Sequence, residues 1–327
     1  MDSVALQTLT TPVILFFILG MLAAAAKSEL SIPEAMAKGM SLYLMAAIGL
    51  KGGVAMAKSG VTGEVAAALA TGLAASFIIP FGAYALLRSF GRLSRIDAGA
   101  VAAHYGSVSV VTFVTASEIL KAVGMAPAGY MVAVLAVMET PAILSGLYLA
   151  QRGTSEASGK ASGDAGGNLW HEVLLNASVV LLLGSFAIGW IAGPAKFEEV
   201  KLLFDGLFKG VLCLFLLDMG LIAARRLLQS RAINLRLVML AVLFPLVNGM
   251  LGTLSGHAIG LDAGSVAAFG VLCASASYIA VPAAMRVALP QADPGIYLTM
   301  SLSLSFPFNL IINIGLIAWA ARALAGG

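Results

Sequence analysis

Charged residues are scarce in this chain. Asp, Glu, Lys and Arg make up 11% of its 327 residues, whereas a soluble domain has roughly 25%. A polypeptide with so few charges cannot build a surface that faces water on all sides. The charges are also concentrated between long apolar stretches, and about 20 apolar residues are enough to cross a bilayer as a helix. The composition therefore excludes an ordinary soluble domain and predicts an all-α membrane protein.

Residues that commonly carry out chemistry are also few. The two cysteines, Cys213 and Cys273, lie in apolar runs, which indicates buried thiols rather than a disulfide framework. The three histidines, His104, His171 and His257, lack the spacing of a metal site. The chain contains no G-x-S-x-G elbow, no P-loop and no HExxH motif. We therefore predict that it is not an enzyme and has no resident cofactor.

Ten apolar segments follow one another along the chain. Each is rich in Ala, Leu, Val and Gly, and small residues let helices approach closely in lipid. We predict ten transmembrane helices at residues 10–26, 36–57, 63–88, 98–120, 127–150, 172–193, 203–224, 234–259, 263–286 and 295–322. Gly, Ser and Ala with mixed charges dominate residues 151–171, as is typical of a flexible linker. This linker separates a first five-helix unit, 1–150, from a second, 172–327.

The two halves of the chain repeat each other. Residues 97–103 read DAGAVAA and residues 262–268 read DAGSVAA, with six of seven identical, and each stretch opens the fourth segment of its half. Two further matches keep the same order: residues 48–53 with 219–224, and Pro141 with Pro307. An odd number of spans inverts the second copy in the membrane, and such inverted repeats are typical of secondary transporters.

Lys and Arg are distributed unevenly between the two sides of the predicted bundle. With the N-terminus outside, twelve lie in inside loops and five in outside loops. Cytoplasmic loops carry the excess of these residues in membrane proteins. We therefore predict a multi-pass protein of the bacterial inner membrane, with both termini periplasmic and the linker cytoplasmic.

The fourth and ninth segments contain polar interruptions at equivalent depths. The first reads HYGSVSVVT from His104 to Thr112, and the second reads ASASYIAVP from Ala274 to Pro282. Gly106 permits unwinding or close approach, and Pro282 disturbs the helix before it. Unwound backbone inside a membrane must line a cavity or be buried in protein. Two facing broken helices would offer N–H groups to an anion and oxygen atoms to a cation. Alternatively, the hydroxyls only bond carbonyls of their own helices.

Several other polar residues fall within the predicted spans. The ionisable ones are Glu139, Asp218, Lys51 and His104, and the neutral ones include Asn248, Asn309 and Asn313. Ionisable residues within spans mark functional sites by default, although each could instead lie at the end of a span and reach toward water. The amides either pack helices together or line a path.

This layout resembles the SbtA-type sodium-dependent bicarbonate transporters from about Pro12 to Ala320. The resemblance is carried by residues 32–35, 48–53, 106–112, 138–142 and 274–282. It implies a homotrimer that moves a small anion with sodium by an elevator-type mechanism. It also implies a PII-like regulatory partner, although the linker here is shorter than in cyanobacterial members. The partners we predict are thus the anion and the bilayer, with no nucleic acid.

The resemblance carries over to individual site residues. It implies substrate binding by Gly106, Ser107, Val108, Ser109, Thr112, Ser275, Ala276 and Ser277. It implies cation binding by Glu139, Ser275, Ser277 and Tyr278, with sodium at Glu139, Ser275 and Ser277.

The chain departs from the family pattern inside both interruptions. Tyr278 stands where the family has Asp, Val281 where it has Gly, and Val110 and Val111 replace small or polar residues. A carboxylate is a natural hard ligand for a cation, so one ligand of the expected sodium site is missing. Sodium-coupled bicarbonate uptake is our prediction. The alternatives are a small-carboxylate transporter coupled to protons through Glu139, a channel, and an anion sensor that does not transport.

Overall fold

The computed structural model describes residues 10–60, 62–152, 177–229 and 233–326. Within these ranges the chain is helical and contains no strand. Among the described residues, seven helical stretches, counted across short interruptions, are long and apolar enough to cross a membrane, at residues 34–58, 63–89, 95–122, 131–151, 180–197, 235–258 and 294–325. Two shorter apolar helices lie at Pro12–Ala25 and Ala263–Ala274. The prediction of an all-α membrane protein is confirmed.

Helix is present at each of the ten apolar segments. The first half contains α1 (Pro12–Ala25), α2 (Glu34–Ser59), α3 (Gly63–Ser89), α4 (Arg95–Gly106), α5 (Val110–Ala122), α6 (Met131–Val137) and α7 (Pro141–Gln151). The second half contains α8 (Ala177–Phe197), α9 (Phe208–Gln229), α10 (Leu235–Ala258), α11 (Ala263–Ala274), α12 (Ala280–Ala288) and α13 (Pro294–Ala325). The predicted linker lies almost entirely outside the described residues, which end at 152 and resume at 177.

Helix interruptions occur in both predicted places. The fourth segment is unwound at residues 107–109, between α4 and α5, and the ninth at residues 275–279, between α11 and α12. We call these stretches the first break and the second break. The fifth segment, expected as one helix, is also divided, because α6 ends at Val137 and α7 begins at Pro141. Proline suits the first position of a helix because the N–H that it lacks has no partner there.

The last helix also differs from a regular α-helix. Helix α13 contains two π-helical stretches, Thr299–Ser305 and Asn309–Asn313, on either side of Pro307. A third π-helical stretch, Leu202–Gly206, precedes α9. Widened turns of this kind are rare and often accompany functional sites. Among sequence features, Pro307 was the one sign of such turns in α13.

The first helix of each half packs on the second helix of the other half. Helix α1 packs on α9, and α2 packs on α8. The contacts are close because glycines lie on both sides of them. A Cβ at Gly20 would lie 2.1 Å from the Leu217 carbonyl oxygen, and one at Gly220 would lie 2.2 Å from the Phe17 carbonyl oxygen. Only glycine permits the two backbones to approach this closely.

Two hydrophobic cores meet at the breaks. One core contains residues of α5 and α11, together with α1, α2, α6, α9 and the end of α13. The other contains residues of α4 and α12, together with α7, the ends of α3 and α10 that face them, and the start of α13. Each broken helix therefore begins in one core and ends in the other, and the two run in opposite order.

Candidate ion and substrate site

Hydrogen bonds join the two breaks directly. The Ser109 N–H donates to Ser275 Oγ at 3.0 Å, and the Ser277 N–H donates to the His104 carbonyl oxygen at 2.9 Å. All four residues are buried. The unwound backbone is thus partly satisfied by the opposite break, as the absence of water inside a membrane requires.

The serine hydroxyls of the breaks also bond nearby backbone. Ser109 Oγ accepts the Thr112 N–H at 3.2 Å and so caps α5, while Ser277 Oγ accepts the Val281 N–H at 3.4 Å in the first turn of α12. Ser275 Oγ donates to the Leu272 carbonyl oxygen at 2.9 Å. The alternative interpretation, a bond to a carbonyl of the same helix, therefore holds at Ser275, whereas Ser109 and Ser277 accept backbone N–H groups. The bond within the helix coexists with the bond between the breaks, because Ser275 Oγ takes part in both.

A small cavity lies against both breaks. Val108, Ser109, Ser277 and Tyr278 line it together with Glu139. The remaining lining residues come from α2, α5, the end of the second break and the start of α12: Ser41, Leu44, Met45, Val110, Val111, Val114, Ile279 and Ala280. Its volume is about 20 Å³, which suits one water or one ion of similar size. Five of the predicted site residues thus share one cavity.

Other predicted site residues are buried beside this cavity and contact neighbouring helices. A Cβ at Gly106 would lie 2.4 Å from the Pro80 ring, so glycine is needed there for packing against α3. Ser107 Oγ donates to the Glu139 carbonyl oxygen at 3.0 Å. Ala276 belongs to the core around α4 and α12. Their placement supports the shape of the site, and direct contact with a substrate stays a prediction.

Glu139 is a buried acidic residue on the cavity wall. It is 4% exposed and lies in the gap between α6 and α7. None of the ion pairs between described side chains includes it. A carboxylate at membrane depth needs a compensating positive charge. A cation or a proton in the adjoining cavity can provide it.

Tyr278, at the position where the resemblance implied a carboxylate, lines the cavity. It is 8% exposed, and its ring packs edge-on against Phe306 with centroids 5.1 Å apart. Its hydroxyl lies beside Ser109, although no hydrogen bond of good geometry to the described residues forms there. The cavity therefore gains an aromatic wall and a phenolic oxygen in place of a second acid.

The described residues contain no cluster of three or more His, Cys, Asp or Glu side chains that could hold a metal ion. A cation in this cavity would depend on one carboxylate, with hydroxyl and carbonyl oxygens as further ligands. Oxygen ligands of this kind suit a hard cation rather than a transition metal.

Two amides support the second break in a way that the sequence did not specify. Asn309 Nδ2 donates to the Ala274 carbonyl oxygen at 2.9 Å and so occupies the last carbonyl of α11. Asn313 Nδ2 donates to Asn309 Oδ1 at 2.8 Å and to the Pro245 carbonyl oxygen at 3.0 Å. In the sequence, the signal for this pair was that the two asparagines lie four residues apart and close to Pro307. These contacts favour a packing role for the two amides over a role in lining a path.

The other ionisable residues within spans do not line the cavity. His104 Nδ1 bonds the Ala100 carbonyl oxygen at 2.7 Å, and its ring stacks on Tyr297. Lys51 pairs with Asp205 at 3.3 Å. Asp218 is buried in α9. Among the four candidates, Glu139 is the one that lines the site.

Comparison with known proteins places this arrangement in a family. No curated protein matches the chain. The family described as the Na⁺-dependent bicarbonate transporter superfamily matches residues 12–322, which is nearly the whole chain. The match agrees with the resemblance that the interruptions carry. The protein is therefore a multi-pass membrane protein that belongs to the Na⁺-dependent bicarbonate transporter superfamily.

Proposed function

We propose that this protein is a secondary active transporter that takes up bicarbonate, or a closely related small anion, together with sodium. The observation that carries the proposal is the meeting of two broken helices around one cavity with a buried acid on its wall. Helix termini at such a crossing offer dipole charge of both signs to ions. Family membership supports sodium and bicarbonate as the ions concerned.

The anion would bind at the N-terminal ends of α5 and α12. Ser109 caps α5, and Ser277 bonds the first turn of α12, so backbone N–H groups and hydroxyls converge at the breaks. The described breaks contain no Arg or Lys. Recognition would therefore depend on helix dipoles, hydrogen bonds and a cation bound nearby.

Sodium would bind at Glu139 with Ser277, which lines the same cavity. Ser275 is the weaker part of the expected ligand set, since its hydroxyl already accepts from Ser109 and donates to Leu272. The Tyr278 hydroxyl is a further oxygen within the cavity wall. One carboxylate and neutral oxygens suit weak sodium binding.

Ten spans in two inverted five-helix units, 1–150 and 172–327, form the architecture that we propose. The exchanged packing of α1 with α9 and of α2 with α8 supports it, as does the opposite order of the two broken helices in the two cores. Elevator-type movement would carry the breaks past α2, which forms the opposite wall of the cavity. A homotrimer and a PII-like partner remain expectations from the family.

A transport assay with purified protein in liposomes tests the function. Wild-type protein should accumulate isotope-labelled bicarbonate when sodium is added at fixed pH, and Glu139→Gln should abolish that stimulation. Glu199→Gln is the matched control, because Glu199 is exposed at the surface.

Other outcomes would support the alternatives. Uptake that ignores sodium but follows the pH gradient would reject sodium coupling and favour proton coupling through Glu139, which Tyr278 leaves as the single acid lining the cavity. Flux without dependence on either gradient would indicate a channel. Stabilisation of the protein by bicarbonate without flux would indicate a sensor.

Tag accessibility tests the proposed topology in intact bacteria. A tag after Gly327 should be accessible from the periplasm and one beside Lys160 should not. Both positions lie outside the described residues. The reverse result would reject the orientation or the number of spans.

A further inference from the structure

The two helices that wall the cavity both carry a charged residue beyond it on the same face. On α5, Val114 lines the cavity and Glu118 lies one turn farther along. On α2, Leu44 lines the cavity and Lys51 lies two turns farther along. Residues four and seven apart share a helix face. Beyond the apolar lining of the cavity, toward one end of the protein, both α5 and α2 therefore present a charged side chain.

These charged residues pair with side chains of the α9 region. Glu118 Oε2 lies 3.5 Å from Lys209 Nζ at the start of α9. Lys51 Nζ lies 3.3 Å from Asp205 Oδ1 and 3.6 Å from the centre of the Phe208 ring. Lys51 and Glu118 also interact electrostatically with each other. We call Lys51, Glu118, Asp205 and Lys209 the charged roof.

The roof differs from an ordinary surface ion pair. In each pair one side chain is nearly buried and its partner is exposed. Glu118 is 9% exposed and Lys209 61%, while Lys51 is 14% exposed and Asp205 49%. Both pairs join different helical elements. By contrast, Lys196 and Glu199 pair within one stretch, with side chains 73% and 68% exposed. Exposed pairs are worth little because water screens them, whereas a partly buried pair between elements resists their separation.

We propose that the charged roof is a gate that closes the cavity on the side where Lys121 lies. Solutes reach the cavity from that side only when Glu118 separates from Lys209 and Lys51 separates from Asp205. The proposal rests on the proposed function in one respect, namely that the cavity is the transport site. Its test measures access to the cavity and needs no transported substrate.

The test uses cysteine labelling at the cavity wall. Val114→Cys is introduced into a chain in which Cys213 and Cys273 are replaced by Ala. The rate of reaction with a membrane-impermeant charged maleimide is then measured in right-side-out and in inverted vesicles. Glu118→Gln and Lys209→Gln should each raise the rate roughly three- to tenfold, from the side of Lys121 only, because each removes one pair that holds the gate shut.

Two control variants isolate the pair between helices. Lys196→Gln removes an exposed pair, and Lys121→Gln removes the partner of Glu118 on its own helix, so both should leave the rate unchanged. Equal rates in wild type and in both single variants would overturn the proposal. Size-exclusion profiles identify any variant that has unfolded. If Glu118→Gln has unfolded, the labelling rate of Lys209→Gln tests the proposal, and if Lys209→Gln has unfolded, that of Glu118→Gln does.

Discussion

Replacement of Ser275 by Ala tests whether the two breaks hold each other. The hydroxyl accepts the Ser109 N–H at 3.0 Å and donates to the Leu272 carbonyl oxygen at 2.9 Å. Alanine removes one atom and leaves the Ser109 N–H buried without its partner. The Leu272 carbonyl loses less, because it also accepts the Ser275 N–H.

The cost follows from the orphaned donor. A buried polar group that loses its hydrogen bond costs about 1–3 kcal/mol. For chains of 150–250 residues, 1 kcal/mol shifts the unfolding temperature by roughly 2–4 °C, and a longer chain shifts somewhat less. We therefore expect the apparent melting temperature of Ser275→Ala in detergent to fall by several degrees. Differential scanning fluorimetry on purified protein measures this directly.

Ser145→Ala is the matched control. Ser145 is also buried, but its hydroxyl donates only to carbonyls of its own helix, those of Pro141 and Ala142. Those carbonyls lie in the first turn of α7, where the helix itself supplies partners. We expect a shift of less than one third of that in Ser275→Ala. Equal shifts in the two variants would refute the reasoning that the bond between the breaks carries the stability.

Two further variants test the packing that surrounds the site. Gly53→Ala should destabilise the protein by about 1–3 kcal/mol or more, because the new Cβ would lie 1.9 Å from the Phe186 carbonyl oxygen. Gly39→Ala is the control and should not destabilise the protein, because the space around Gly39 is open. Thermal unfolding compares the two variants. Tyr278→Phe removes the hydroxyl and retains the ring on Phe306. If the hydroxyl is no ligand, sodium-stimulated uptake should stay within about twofold of the wild-type rate. A loss of sodium affinity in the uptake assay would instead assign the Tyr278 hydroxyl to the sodium site.

The sequence predicted the positions of the helices well, and the reason is physical. A helix that contacts lipid must be apolar over its length, so hydropathy alone locates it. The two breaks were predictable because glycine, proline and serines interrupt otherwise apolar runs. The repeated 97–103 and 262–268 stretches also indicated that whatever happens in the fourth segment happens again in the ninth. Such signals are local, and they need no knowledge of neighbouring helices.

The partners of the site residues were not predictable in the same way. Gly106 permits either unwinding or close approach in sequence, and its position against Pro80 shows that close packing requires it. Ser107 reads as a ligand, and its hydroxyl bonds the Glu139 carbonyl oxygen of another segment. In the gap of the fifth segment, the Met138 carbonyl oxygen likewise accepts a hydroxyl of another segment, that of Ser76. These features depend on which helices meet, and a single sequence does not specify that.

The size of the cavity connects the break-to-break bonds with transport. Room of about 20 Å³ accommodates one cation beside Glu139, but bicarbonate, with a carbon and three oxygens, needs more space. An anion between the breaks would therefore have to move them apart. Under the proposed function, the Ser109 N–H, which donates to Ser275 Oγ, would then be free to donate to the anion. The substrate would replace that protein hydrogen bond rather than add to it, although separation of the breaks also strains the Ser277 N–H bond to the His104 carbonyl oxygen. Such an exchange would let neutral groups without an Arg bind the proposed anion and release it.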